Sequence, residues 1–135
     1  MRKLLSIHYS AGAFNIALLL LRLSSGGLMM YHGYKKLLKF SSLKDKFYNF
    51  LGMGSTASLS MTIFAEFFCG LFILIGLFTR LTVIPLIVVM AVALFKIHHS
   101  DFFGEGEMAA LYLTAYLIIM IVGPGKISVD GFAGK

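Results

Sequence analysis

The sequence predicts an all-α fold, a four-transmembrane-helix antiparallel bundle with an interfacial amphipathic helix between spans 1 and 2. Three observations predict it. Of 135 residues, 59% are hydrophobic and 13% charged, where a soluble domain carries about 25% charged residues; the mean hydropathy is +0.88. The charges lie mostly between long apolar runs rather than within them. The longer runs reach the roughly 20 residues that cross a bilayer. Six acids and twelve Lys and Arg residues are too few to clothe a soluble globule of this size. A soluble single-domain enzyme, a disordered chain and a fibrous chain are therefore all disfavoured.

The whole chain, 1–135, reads as a single membrane domain. Span 1 is expected over 13–38, because Arg22 is the one charge between Lys3 and Lys35. Arg2 and Lys3 resemble the basic start of a signal peptide. Arg22 interrupts the apolar stretch, however, and no small-residue cleavage site follows, so an uncleaved helix is expected. Span 2 is expected over 59–79, with Glu66 as its one charge, and span 3 over 81–98, where Arg80 and Lys96 lengthen the apolar run by snorkelling. Span 4 is expected over 107–123. Thr79-Arg80 reads as a tight turn joining spans 2 and 3. Pro85 then falls in the first turn of span 3, where its missing N–H is harmless, and Gly123-Pro124-Gly125 stops span 4. Between spans 1 and 2, Phe40, Leu43, Phe47, Phe50 and Leu51 recur at helical spacing opposite Lys44, Asp45 and Lys46. Ser42 and Asp45 resemble a capping box. An amphipathic helix over 42–52 is expected there, lying in the interface or lidding the bundle.

The net charge of +6 is scattered in twos and threes beside the spans, which suits anionic lipid headgroups; no nucleic-acid partner is expected. Arg2, Lys3, Arg80, Lys126 and Lys135 on one face against Lys35, Lys36, Lys39, Lys44, Lys46 and Lys96 on the other leave the orientation undecided by charge. The one cysteine, Cys69, lies within an apolar run, so no intrachain disulfide or CxxC pair exists.

Antiparallel order lets depths be assigned. His32 and Glu66 lie roughly 9 and 10 Å from the face that carries the 39–58 loop, so they are level. Lys35 and Lys36 sit one turn above His32, His98 and His99 close span 3, and Glu105 and Glu107 open span 4 at the same face. The expected polar cluster is thus His32, Lys36, Glu66, His98 and Glu107. A charge deep in the bilayer costs about 2.5–3.5 kcal/mol on insertion scales and calls for a partner or a function. Imidazole and carboxylate at this depth can hold a quinone head group, relay protons or ligate a metal. No metal-ligand spacing such as H-E-x-x-H occurs, so no metal site is assigned. The structural alternative is that His32 and Glu66 hold helices together by hydrogen bonds, with His98 in a solvated loop. Arg22 lies roughly 15 Å from His32 toward the other face, too far to meet Glu66. A backbone carbonyl or a C-terminal carboxylate is its expected partner, or it snorkels outward. Arg22, Gly26, Met29, Gly33 and Lys36 share one helix face, and Thr62, Glu66, Gly70, Ile73 and Leu77 share another. The glycines would let those two faces meet closely.

These residues resemble the DoxX family of small four-helix membrane proteins. Span 1 carries Leu21-Arg22-Leu23, then Gly26 or Gly27, then His32-Gly33-x-x-Lys36-Leu37. Span 2 carries Glu66-x-x-x-Gly70 and Gly76-Leu77-Phe78-Thr79-Arg80. Span 3 has Met90-Ala91-Val92-Ala93 before His98, and span 4 runs from Gly106-Glu107 to Gly123-Pro124-Gly125-Lys126, followed by Ser128 and Asp130. Cys69 departs from the family's usual glycine. The resemblance implies a multi-pass protein of a prokaryotic inner membrane with both termini cytoplasmic. Relatives include a subunit of thiosulfate:quinone oxidoreductase and members linked to thiol and oxidative stress. The function expected on this basis is an accessory membrane subunit of a quinone- or sulfur/thiol-linked redox system, at most a membrane subunit of an oxidoreductase. Its partners would be lipid and a soluble or membrane redox protein, and a homo-oligomer is compatible. No flavin, haem or iron–sulfur motif is present, which leaves quinone as the ligand to consider. The alternatives are a scaffold or assembly factor docking through the 42–52 helix, and a small-solute transporter, which with four spans would need an oligomer.

Overall fold

A computed structural model describes residues 4–134. Arg2, Lys3 and Lys135, counted above toward orientation, lie outside the described residues. Among the described residues, every regular element is helical. Helix α1 spans Ala11–Leu38 and starts where the Ser10 hydroxyl accepts from the Ala13 N–H at 3.0 Å. After a single turn, α2 (Phe40–Leu43), the chain enters α3 (Ser55–Ile63). A π-helical segment, Phe64–Cys69, follows without a break and passes into α4 (Gly70–Ile75). Helix α5 (Thr79–Val92) likewise continues into a π-helical segment, Ala93–Ile97. Helix α6 covers Glu107–Val122 and the single turn α7 covers Val129–Phe132.

Three of these helices are long and apolar enough to cross a membrane: Ala11–Leu38, Ser55–Ile75 and Thr79–Ile97. Helix α6 is apolar but shorter, at 16 residues. Helix α1 packs along α4 and the first π segment, α5 packs on α6, and α4 touches α5. Their shared core holds Met29, Ile73, Leu86, Leu94, Tyr116 and Ile119. Outward, the helices carry exposed Leu20, Leu28, Leu81, Leu111 and Ile121, while Arg22 and Glu66 are each 1% exposed. Charge inside and hydrocarbon outside would be untenable in water and is the natural arrangement in lipid.

Several boundaries differ from the sequence reading. Span 2 was expected over 59–79 and runs instead from Ser55 to Ile75. It ends early because Gly76 adopts φ 76°, so that the Leu77 N–H reaches the Phe72 carbonyl at 2.8 Å and the Gly76 N–H the Ile73 carbonyl at 3.1 Å, the hydrogen-bond pattern of a Schellman stop. The turn between spans therefore lies at Gly76–Phe78, and Thr79-Arg80 already belong to α5. Pro85 consequently lies inside α5, not in its first turn. The helix expected over 42–52 does not form. One turn, Phe40–Leu43, is followed by turns and irregular chain to Gly54. Local polar groups claim that backbone instead. The Ser55 and Thr56 hydroxyls donate to the Lys44 carbonyl at 2.5 and 3.2 Å, Gly54 N–H donates to Asn49 Oδ1 at 2.8 Å, and Phe50 N–H donates to Ser58 Oγ at 2.8 Å. Ser42 donates to the Lys39 carbonyl at 2.9 Å rather than opening a capping box with Asp45.

Candidate functional site

The two glycine-bearing faces do meet. A Cβ placed on Gly26 would lie 2.7 Å from the Gly70 carbonyl oxygen, and one on Gly33 would lie 2.7 Å from the Phe67 nitrogen. Backbones this close admit no side chain, and they bring the end of α1 against the Phe64–Cys69 segment. There the Lys36 ammonium donates to both Glu66 oxygens, at 2.7 Å to Oε1 and 2.6 Å to Oε2. The Glu66 side chain is 2% exposed and that of Lys36 30%.

Lys36, not His32, is thus the partner of Glu66. His32 is half-buried and turns toward α6, where its ring meets Tyr112 edge-on with centroids 5.9 Å apart. Both lie at the same end of the bundle, with Lys36 as the group bonded to the carboxylate. His98 ends the second π segment, and its Nδ1 lies 3.7 Å from Glu105 Oε2 without a hydrogen-bond partner. Glu107 stands exposed in the first turn of α6 and does not join the cluster. Among the described residues no trio of His, Cys, Asp or Glu converges as a metal site.

A cleft of about 600 Å³ opens beside this pair, between the Ser55–Ile75 and Thr79–Ile97 helices. Lys36 and Glu66 supply charge, and His98 a polar ring, to an otherwise mostly apolar lining that includes Phe47, Phe50 and Pro85. Two features that sequence periodicity does not reveal build it: both helices turn π-helical where they line it, at Phe64–Cys69 and Ala93–Ile97. Such single-turn insertions recur at functional sites.

At the opposite end Arg22 is held by backbone. Its Nη1 donates to the carbonyls of Leu74 at 3.1 Å and Ile73 at 3.4 Å, and its Nη2 donates to that of Ile127. The expectation of a carbonyl partner for Arg22 is met, here from two segments at once. Asp130, noted in the sequence only as part of a motif, accepts from the N–H groups of Phe78 and Thr79, each at 2.9 Å. It caps α5 from the far end of the chain. A Cβ on Gly76 would collide with Ser128 and with Arg22 Nη1, so only glycine fits beneath this tail. Deep in the bundle the Tyr116 hydroxyl donates to the Ser25 carbonyl at 2.9 Å. A wider cleft of about 770 Å³ at this end is lined by Phe14, Thr79, Arg80, Gly123 and Lys126.

Apolar helices facing outward, with a buried ion pair beside an apolar cleft, define a small helical membrane protein. The chain belongs to the DoxX family, whose model matches residues 17–99, more than half its length. The match includes Arg22, Gly26, His32, Gly33, Lys36, Glu66, Gly70 and His98, and stops before α6. No curated protein and no solved structure matches the chain.

Proposed function

We propose that this chain is the accessory membrane subunit of a quinone- or sulfur/thiol-linked redox system and that the cleft beside Lys36 and Glu66 receives a quinone head group. The observation that carries the proposal is the Lys36–Glu66 pair in the wall of an apolar cleft, with His98 in the same lining. An ammonium has three donors, and Glu66 takes two of them. The third serves a carbonyl oxygen in the cleft, and the His98 ring, in the same lining, serves a second acceptor. A flat ring with two carbonyls matches that pair of groups. Bound there, a quinone would supply two-electron, two-proton redox chemistry, with electrons coming from a partner protein. Glu66 holds Lys36 in place and is itself an acid–base group in the lining. His32, edge-on to Tyr112, supports α1 against α6 rather than touching the ligand.

In this reading α6 is a fourth span. Its 16 residues rise about 24 Å, short of the roughly 30 Å hydrocarbon core, a mismatch that local thinning absorbs. All four helices then form an antiparallel bundle in a cell inner membrane with both termini cytoplasmic. A reporter fused after Lys135 tests the orientation. The scaffold alternative relied on an amphipathic helix over 42–52, and beyond Leu43 that segment is turns and irregular chain.

The test is purification in mild detergent followed by extraction and mass spectrometry. Bound quinone near one per chain is expected, falling sharply in Lys36→Met and His98→Ala. Wild-type protein that carries no quinone and binds none on titration would overturn the proposal.

A further inference from the structure

The two ends of the cleft are closed and open toward different phases. Toward the face that carries the 39–58 loop, Phe47, Tyr48 and Phe50 cover it. That cover is pinned down. Phe50 N–H is held by Ser58, a buried hydroxyl that itself donates to the Gly54 carbonyl at 2.7 Å, and Lys44 is held by Ser55. Toward the side, the lining includes Met61 and Phe64 from one helix and Ile84 and Val88 from the other, all exposed. These four lie within the segments long and apolar enough to cross the bilayer, so the open side faces hydrocarbon. Pro85 stands at the same edge, where it can give no N–H to the preceding turn.

We infer that the cleft is a lateral portal, entered from the bilayer between the Ser55–Ile75 and Thr79–Ile97 helices. It takes an amphiphile whose polar head lies at Lys36 and His98 and whose hydrocarbon tail leaves between Phe64 and Val88. The inference rests on the quinone reading for the chemistry of the head. The tail and the route rest on the roof and the apolar rim. A ligand arriving from water would meet the pinned aromatic cover and would leave the exposed rim unused. One arriving from lipid finds its tail already solvated and its head meeting the polar groups only at the end of the path.

The experiment compares two probes on the purified full chain in lipid nanodiscs: a benzoquinone bearing a decyl tail, and the same ring without a tail. Affinities are corrected for partition into protein-free nanodiscs. The tailed probe is expected to bind more tightly. Val88→Trp, which fills the rim, should weaken it about tenfold, the value of roughly two buried methylenes, while leaving the tailless ring unchanged. Ile84→Trp on the same rim repeats the measurement, and Tyr48→Ala in the roof should leave the tailed probe's association rate unaltered. If both probes bind equally and the rim variants are silent, the head-group site stands and the lateral portal falls. If a decyl chain without a ring displaces the tailed probe equally well, the cleft is a lipid groove only and the inference is overturned. If neither probe binds, the quinone reading and the portal fall together.

Discussion

Lys36→Met is the most informative single change, because it strands a carboxylate in the bundle. The Glu66 side chain is 2% exposed, and Lys36 donates to both of its oxygens at 2.6–2.7 Å. Removing one partner of a buried pair costs about 3–5 kcal/mol, since an uncompensated charge remains. Glu66→Gln should cost far less, about 1 kcal/mol. The Lys36 side chain is 30% exposed and close to the end of α1, so its ammonium can extend toward the headgroups. The double variant should then be more stable than Lys36→Met alone, because the stranded charge has gone. The protein supplies its own probe for the assay: it has no tryptophan, and its single cysteine, Cys69, is 4% exposed. A thiol-reactive fluorogenic dye therefore reports thermal unfolding in detergent. At about 4 °C per kcal/mol for a chain of this length, Lys36→Met should lower the midpoint by about 12–20 °C and Glu66→Gln by about 4 °C. Equal losses in the two single variants, or a double variant less stable than Lys36→Met, would refute the reasoning.

Three further outcomes are expected in the same assay. Asp130→Ala removes both acceptors at the start of α5 and should cost about 2 kcal/mol, with Asp130→Asn losing about half as much; a change within error in both would show that the tail does not cap that helix. Gly33→Ala should destabilise by about 2 kcal/mol or more, because its Cβ would press on Phe67 backbone at 2.7 Å. Gly27→Ala, whose Cβ would meet only Leu74 Cδ1 at 3.7 Å, should be neutral or stabilising by up to about 1 kcal/mol. Equal effects of these two glycine changes would mean that α1 and the Ser55–Ile75 helix are not in close contact at Gly33. Tyr116→Phe leaves the Ser25 carbonyl without the donor it has at 2.9 Å and should cost about 1–2 kcal/mol; no measurable loss would show that the bond contributes nothing.

What could be read from the sequence was set by the range of the signal. Long uncharged runs announce helices directly, and the glycine faces of α1 and α4 follow from helical spacing alone. The end of span 2 was misplaced because Leu77 and Phe78 are as apolar as the helix before them, and only the left-handed Gly76 stops it. Segment 42–52 failed for the opposite reason. Its apolar spacing is helical, but the hydroxyls of Ser55, Thr56 and Ser58 and the amide of Asn49 capture backbone groups in and around it. At the site, depth was legible and phase was not. His32 and Lys36 are four residues apart on α1 and share a side of the helix, yet His32 turns to Tyr112 of α6 and Lys36 to Glu66. The π segment that carries Glu66 then departs from the regular α-helical winding on which the sequence argument relied. Pairing Glu66 with His32 was therefore one residue choice away from the observed contact.

The two charge clusters differ in a way that bears on the proposed ligand site. At the Arg22 end the guanidinium donates to the backbone carbonyls of Ile73, Leu74 and Ile127, and Asp130 accepts from two backbone N–H groups. Those bonds exist only when the tail and three helices are assembled, and Arg22 lines neither cleft. This is what a group retained to hold a fold together would do. At the Lys36 end both partners are side chains, one of them partly exposed, and both stand in the wall of a cleft with a third polar group, His98, across from an apolar rim. A stability role alone would be served as well by a matched apolar pair, since burying an ion pair yields little net stabilisation. The arrangement gains a purpose once something enters the cleft and uses the donor that Glu66 leaves over. Lys36→Met/Glu66→Leu should therefore retain the fold while losing quinone, and a double variant that folds and still binds quinone would detach the pair from the site.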